Sequence, residues 1–366
     1  MRWFRVLLDA TLILLLGTAF RVATLSVLAR ANDDSLTGLL TKWDAEYYLE
    51  IAENGYFQAD IATDVPVHER TLAFFPGYPG LVRLVHELTR LEYGTAAALV
   101  NIIAGIAMTA GVMVLAQRMG AGRAAQIGAA VVVSSAPMAI TYSMPYTEAL
   151  FGALAVWSLV ALIDRRWWWA AGLIFLLGFT RLTAVTMIGV FGLVVLLYAR
   201  RDWRAWVALA LTPWSLLGYL AWVSSHTISR GGYFGIQEDG WDSGFDFGRA
   251  TVVWVWEVLT TEGDGGYLLT VGVMVAAVVA LLAAWRRVPW EVWWFAAALL
   301  ATVLLSDGIM HSRPRLLLPA VLLLLPWVIR GVGKFPLRVT VPLGAAWVLF
   351  GAWFSAYMLA VFEWAI

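Results

Sequence analysis

The sequence contains no cysteine. That absence excludes disulfides, thiolate nucleophiles and cysteine-ligated metals. Only four histidines are present, His68, His86, His226 and His311, and none shares the HxxxH or HExxH spacing of a zinc site. No Walker A loop and no strand-led GxGxxG occurs, which leaves nucleotide binding without a motif. Charge is scarce as well. Only 14% of the 366 residues are charged, against 61% hydrophobic residues and a mean hydropathy of +0.77. A soluble domain cannot hide that much apolar surface from water, whereas a bilayer removes the need. The chain therefore reads as an all-α polytopic membrane protein, with residues 1–366 forming a single transmembrane domain.

Apolar segments lie at about 6–28, 95–117, 124–143, 147–163, 167–180, 183–199, 204–223, 266–285, 290–306, 316–329 and 340–362. Spanning a ~30 Å core takes about 20 helical residues, so 167–180 and 316–329 are short. The stretch RMGAGR (118–123) and the connections around Arg165, Arg200 and Arg286 are brief and basic. The positive-inside rule puts them, with the N-terminus, in the cytoplasm. The scheme requires that residues 72–90 do not cross. Two prolines, Arg83, His86, Glu87 and Arg90 suit that stretch to an interfacial or re-entrant element. About eleven spans result, with two long outer loops at 29–94 and 224–265. The apolar N-terminal run is long enough to be an uncleaved first helix.

On this topology the unusual polar residues gather on one face. They are Asp44 with its neighbours Trp43, Tyr47 and Tyr48; Glu148 in MPYTEALF; Arg181 in GFTRLTA; Tyr233, Gln237 and Trp241 in YFGIQEDGW; and His311, Arg313 and Arg315 in HSRPR. A transporter more often places such groups near the midplane, where Arg21 is the main candidate. On a helix with 100° per residue, Glu46, Glu50 and Glu53 form one acidic stripe and Asp44 points to the opposite, aromatic side. The glutamates suit a solvated face. Two readings of Asp44 stand: a cap on its own helix N-terminus, or a catalytic or substrate-binding carboxylate. Arg313, Arg315 and Arg181 are either interface anchors or phosphate ligands, since a guanidinium matches phosphate oxygens in bidentate geometry. Glu148 pairs with an arginine or serves the site, and His311 is a structural hydrogen-bonder or a site residue. The Trp-rich patches, including Trp167 to Trp169, suit an aromatic belt. An acidic outer surface speaks against a nucleic-acid partner.

Several blocks together resemble the PIG-V-type mannosyltransferases and their bacterial relatives: KWDAEYYLEIAENGY, TLAFFPGYPGLVRLV and MPYTEALFGAL, followed in order by AAGLIFLLGFTRLTAV, YFGIQEDGW and HSRPRLLLPAVLLL. The likeness runs from about residue 40 to residue 325, and the scarcity of lysine fits a high-GC, actinobacterial-like member. The resemblance implies a GT-C glycosyltransferase fold with amphipathic interfacial helices in the first outer loop. It also implies a multi-span enzyme that takes mannose from a polyprenyl-phosphate carrier, with Asp44 as the catalytic acidic residue. The chain is shorter than the eukaryotic members, so a glycosylphosphatidylinositol acceptor is not implied. The expectation is an inverting mannosyltransferase at the outer face of the plasma membrane, with Arg315, Arg313 and Arg181 on the donor phosphate and a glycan or glycolipid acceptor. No cofactor is required by that scheme, and a carboxylate-bound divalent metal remains compatible with it. Its rivals are a transferase of another sugar such as arabinose or glucose, a lipid-linked sugar flippase, and a structural membrane subunit.

Overall fold

The computed structural model describes residues 2–261 and 263–366. In chain order the α-helices are α1 (Arg2–Ala31), α2 (Leu36–Leu40), α3 (Asp44–Asn54), α4 (Val67–Thr71), α5 (Gly77–Thr89), α6 (Tyr93–Arg118), α7 (Arg123–Ser134), α8 (Glu148–Ile163), α9 (Trp167–Leu177) and α10 (Ala184–Tyr198). They continue with α11 (Trp203–Leu211), α12 (Trp214–His226), α13 (Gly232–Trp241), α14 (Arg249–Thr260), α15 (Gly265–Ala284), α16 (Trp290–Leu304), α17 (Arg313–Leu316), α18 (Leu325–Lys334) and α19 (Leu337–Ala360). The extended structure among the described residues is one isolated antiparallel bridge, Phe245 with Ser306.

Among the described residues, five helical stretches are long and apolar enough to cross a membrane: 3–31, 93–118, 203–226, 265–284 and 337–360. A sixth arises if the pair 310–316 and 318–334 counts as one span broken by a 55° bend. Pro314, Pro319 and Pro326 fall in that stretch, and residues 318–324 wind as 3₁₀ helix. Proline removes the backbone donor that a straight helix would need there. Five further apolar helices, α7 to α10 and α16, have only 10 to 17 residues each. The expected eleven segments are thus all helical and apolar, but six at most meet the length for crossing. The polytopic all-helical architecture holds.

Leu7, Leu8, Leu12, Leu16 and Val27 are exposed along α1, and Val275, Val279 and Leu282 along α15. Such faces suit lipid, because every backbone group is already bonded within its helix. In the first loop, α5 buries Tyr78, Pro79 and Val82 while exposing Leu84 and Leu88 beside Arg83 and Glu87. At 13 residues it is too short to cross. Its two-sided surface is that of a helix lying along a membrane.

Helix contacts in the core rely on small residues, which let backbones approach when lipid supplies no hydrophobic drive. A Cβ on Gly111 of α6 would sit 2.9 Å from Val156 Cγ1 and 3.0 Å from Trp157 Nε1 of α8. Arg21, the cation expected near the midplane, is 1% exposed and donates to the Ser134 carbonyl at 2.6 Å and to Thr18 Oγ1 at 3.0 Å. It closes the C-terminal end of α7 against α1, where a cation also suits the negative end of the helix dipole. From the α6–α8 contact, Gly111→Leu is expected to cost about 1–3 kcal/mol through overpacking. The measurement is thermal unfolding in detergent, and an unchanged midpoint would show that the two helices are not held at this distance.

Candidate active site

The site is built on the first loop. Trp43, the residue before α3, adopts φ 65°, a conformation that bulky residues avoid, and makes no side-chain cap bond. The tight entry starts α3 at Asp44 and points its carboxylate across the molecule. Asp44 Oδ2 meets Arg315 Nη1 at 2.6 Å, with the two side chains 21% and 11% exposed. The carboxylate is thus engaged with an arginine from the broken span, and the capping alternative is not what the structure adopts. Glu46 and Glu53 are exposed, and Glu50 accepts from Asn54 Nδ2 and the Asp60 backbone N–H. The acidic stripe is the solvated face of α3.

Arg315 lies with its guanidinium carbon 5.0 Å from the centre of the Tyr146 ring, a cation–π contact. Its Nε is buried and has no hydrogen-bond partner. Behind this pair sits a second one, Glu148 with Arg181 at 3.2 Å. The contact is an ion pair without hydrogen-bond alignment, since neither Glu148 oxygen has a bonded partner. Arg181 also stands over Phe151, 5.5 Å from the ring centre. The two pairs are joined through Tyr48, which packs edge-on against Tyr78 and near Tyr146. Burial first, and the charge of Asp44 second, raise the Tyr48 phenol well above its ordinary pKa, so it stays a neutral donor.

An aromatic wall completes the site. Tyr47 stacks on Phe74 at 4.7 Å, and Tyr48 and Trp241 meet Phe74 edge-on at 5.1 and 5.5 Å. Gln237 donates to the Ala73 carbonyl and to the Tyr233 hydroxyl, both at 3.2 Å. Arg230 pairs with Glu69 at 3.0 Å, and Arg70 donates to the Asp239 carbonyl. These contacts lock α13 of the second loop onto the AFFPGYP turn of the first. The same turn touches the loop carrying Arg181, because the Gly77 N–H donates to the Phe179 carbonyl at 2.8 Å. A Cβ there would lie 2.7 Å from that oxygen. Only glycine allows that approach.

Of the residues singled out from sequence, Asp44, Trp43, Tyr47, Tyr48, Glu148, Arg181, Arg315, Tyr233, Gln237 and Trp241 form this one region. Two lie apart. Arg313 is 2% exposed and spends its guanidinium on Thr251 Oγ1 and the Ser306 carbonyl. His311 packs among Tyr267, Phe362 and Trp364. Phe74 and Tyr146 carry central contacts and were not singled out; both are aromatic residues in aromatic-rich motifs, with no charge to mark them. Among the described residues, no group of three or more His, Asp or Glu side chains gathers to hold a metal.

A groove of about 700 Å³ opens beside this site, between α15, residues 317–324 and α19. Its lining is apolar, including Leu268, Val273, Val321, Trp347 and Phe354, and it includes Pro314, the residue before Arg315 in the chain. An apolar channel lined in part by the residue next to a paired cation suits an amphiphile with an anionic head.

A family model described as mannosyltransferase (PIG-V) matches residues 3–201, just over half of the chain. The chain is 28% identical over 193 residues to GPI alpha-1,6-mannosyltransferase 2 of Mus musculus, covering 50% of this chain and 36% of that protein. It is 32% identical over 158 residues to the Rattus norvegicus protein of the same name, covering 39% of this chain and 29% of that one. The matches therefore span about a third of the length of these relatives. Asp44, Glu148 and Arg181 fall inside the family match, whereas Arg315 and the α13 residues lie beyond it and join the site through the fold.

The ring under Arg315 generates a test. Tyr146→Phe keeps the aromatic face and gives up the hydroxyl's 3.4 Å bond to the Lys42 carbonyl and its contact with the Asp44 backbone N–H. Tyr146→Leu removes the face, worth about 0.5–2 kcal/mol beneath a desolvated cation. Thermal unfolding is expected to rank wild type and Tyr146→Phe close together and Tyr146→Leu below both; equal midpoints for the two variants would dismiss the cation–π contact.

Proposed function

Since the chain belongs to the mannosyltransferase (PIG-V) family, we propose that it transfers mannose from a polyprenyl-phosphate-mannose donor to a hydroxyl of a lipid-linked or glycan acceptor. The transfer inverts the anomeric centre and takes place at the outer face of the plasma membrane. The observation that carries this reading is the Asp44–Arg315 pair, together with an apolar groove whose lining includes Pro314, the residue before Arg315.

The isoprenoid chain lies in the groove and its phosphate reaches Arg315, whose buried Nε is free to donate. Arg315 then turns from Asp44 to the phosphate. Asp44, released, accepts the proton of the acceptor hydroxyl as that oxygen bonds to the anomeric carbon. The bond from the anomeric carbon to the carrier oxygen breaks, and its electron pair leaves with polyprenyl phosphate. The phosphate gains negative charge along this path, so Arg315 holds it more tightly in the transition state than in the ground state. Tyr47, Phe74 and Trp241 present ring faces and edges of the kind that pack on a sugar. The flippase alternative finds less support, because Arg21 is committed to closing α7.

Two experiments test this. In membranes supplied with labelled polyprenyl-phosphate mannose and candidate acceptors, Asp44→Asn is expected to lower kcat about 10²–10⁴-fold, the range of a lost general base. The same variant is expected to bind polyprenyl phosphate severalfold more tightly than wild type, because the anion competing for Arg315 has gone. Near-normal turnover would sink the base role, and no transfer by wild type to any acceptor would sink the enzyme reading. The groove has its own test at Gly272, where an added Cβ meets nothing within 4 Å. Gly272→Leu is expected to raise KM for a long-chain donor and leave a short-chain donor unaffected. Equal effects on both would remove the chain from the groove.

A further inference from the structure

The second loop contains a helix whose outward face none of the site chemistry uses. Thr251 and Val258 of α14 are buried, and Trp254 meets Tyr267 edge-on at 5.7 Å. On the outward side, Val252, Trp256 and Leu259 are 70%, 69% and 61% exposed. At 100° per residue these three fall within an arc of about 60°. Arg249, Glu257 and Thr260, also exposed, occupy the adjoining arc with Val253 among them. The outward surface is thus split lengthwise into an apolar wing and a mainly polar one.

Just before α14, Phe245 and Phe247 extend the apolar wing, with their rings 4.8 Å apart. Phe247 is 83% exposed and sits at φ 60°, a costly backbone state for a bulky side chain. The turn is held firmly. The Asp246 and Gly248 N–H groups both donate to the Leu305 carbonyl at 3.2 Å, and the Asp246 carboxylate accepts from the Gly248 and Ala250 N–H groups. Facing water, a strained aromatic fixed outward would gain nothing to offset its strain.

The two ends of α14 settle what it faces. At its start, the 245–248 turn and Thr251 Oγ1 are bonded to Leu305 and Leu304, at the end of the apolar helix α16. At its close, a few residues lead to Asp264, whose side chain caps the first turn of the spanning helix α15. α15 is long enough to cross a membrane, and Trp254 of α14 packs on Tyr267 in its first turn, so α14 lies at the boundary where α15 begins its crossing. α14 is tethered at both ends to that boundary and runs along it.

We propose that α14 and the Phe245–Phe247 turn form a membrane-inserted keel, its apolar wing seated among phospholipid acyl chains and Arg249 at the level of the head groups. Tryptophan at the water–lipid boundary and a lengthwise split of apolar and charged residues are what such a helix requires. The exposed apolar faces of α15 continue the same lipid contact. Arg313 gains a role from this placement, since it ties α14 through Thr251 two residues from Arg315. The inference stands independently of mannosyl transfer.

The absence of cysteine makes the test direct. Single variants Phe247→Cys, Trp256→Cys, Leu259→Cys, Glu257→Cys and Thr260→Cys of the full chain, each labelled with an environment-sensitive fluorophore, are placed in phosphatidylcholine vesicles. Probes at 247, 256 and 259 are expected to be quenched severalfold by lipids brominated on their acyl chains and spared by aqueous iodide, with the reverse at 257 and 260. Equal iodide quenching at all five sites overturns the proposal. So does shielding from both quenchers together with crosslinking between labelled copies, which would assign the face to a second copy of the chain. Position 259 lies outside the strained turn, so a mis-seated Phe247 variant does not decide the result.

Discussion

One ion pair, Asp44 with Arg315 at 2.6 Å, holds the two halves of the site together. Neither partner is comfortable alone. A charge that is mostly removed from water needs an opposite charge or a full set of hydrogen bonds, and leaving either one unpaired is strongly destabilising. The first loop brings the carboxylate and the broken span brings the guanidinium, so each element is positioned by the other's charge. Tyr146 supplies a π face beneath the cation, and Glu148 with Arg181 repeats the balance one layer further in. The local sum is two acids and two bases, which lets four ionised groups share a largely apolar neighbourhood.

The broken span explains how an arginine comes to sit there at all. A straight helix through Met310–Lys334 would present its side chains along a cylinder and leave Arg315 facing either lipid or core. Prolines 314, 319 and 326 instead impose a short helix, a 3₁₀ stretch and a 55° bend. Irregular backbone at membrane depth is tolerated only where protein or a cavity surrounds it. Here α15 and α16 pack on the 3₁₀ stretch, and the apolar groove runs along it. The same broken stretch lines the groove and sets Arg315 against Asp44.

Much of this was legible in the sequence, and what was not has physical reasons. Hydropathy located the apolar helices, and helical geometry separated Asp44 from Glu46, Glu50 and Glu53 because periodicity reports direction as well as character. It could not choose between Arg313 and Arg315. Two residues apart on a helix, they point to nearly opposite sides, and only the fold shows that one faces Asp44 while the other faces Thr251. Phe74 and Tyr146 carried no signal because their value lies in ring geometry, which appears only when partners from distant motifs arrive. The number of crossings was the least secure expectation, since α7 to α10 and α16 are too short to be assigned as spans by length.

The division between the two arginines follows from the same constraint as the central pair. Each is drawn out of water by the fold, and each must be answered by something. Arg313 donates to the Thr251 hydroxyl and the Ser306 carbonyl, which hold it fixed, and the nearby Asp307 and Asp246 carboxylates support its charge without a direct ion pair. Arg315 is answered by a carboxylate on a separate loop, with one donor left over. Arg313 is hydrogen-bonded to a hydroxyl and a carbonyl, whereas Arg315 bridges two separate elements through a direct ion pair and keeps a buried Nε without a hydrogen-bond partner. The two positions share a motif and a chemistry, yet only Arg315 is paired directly with a carboxylate.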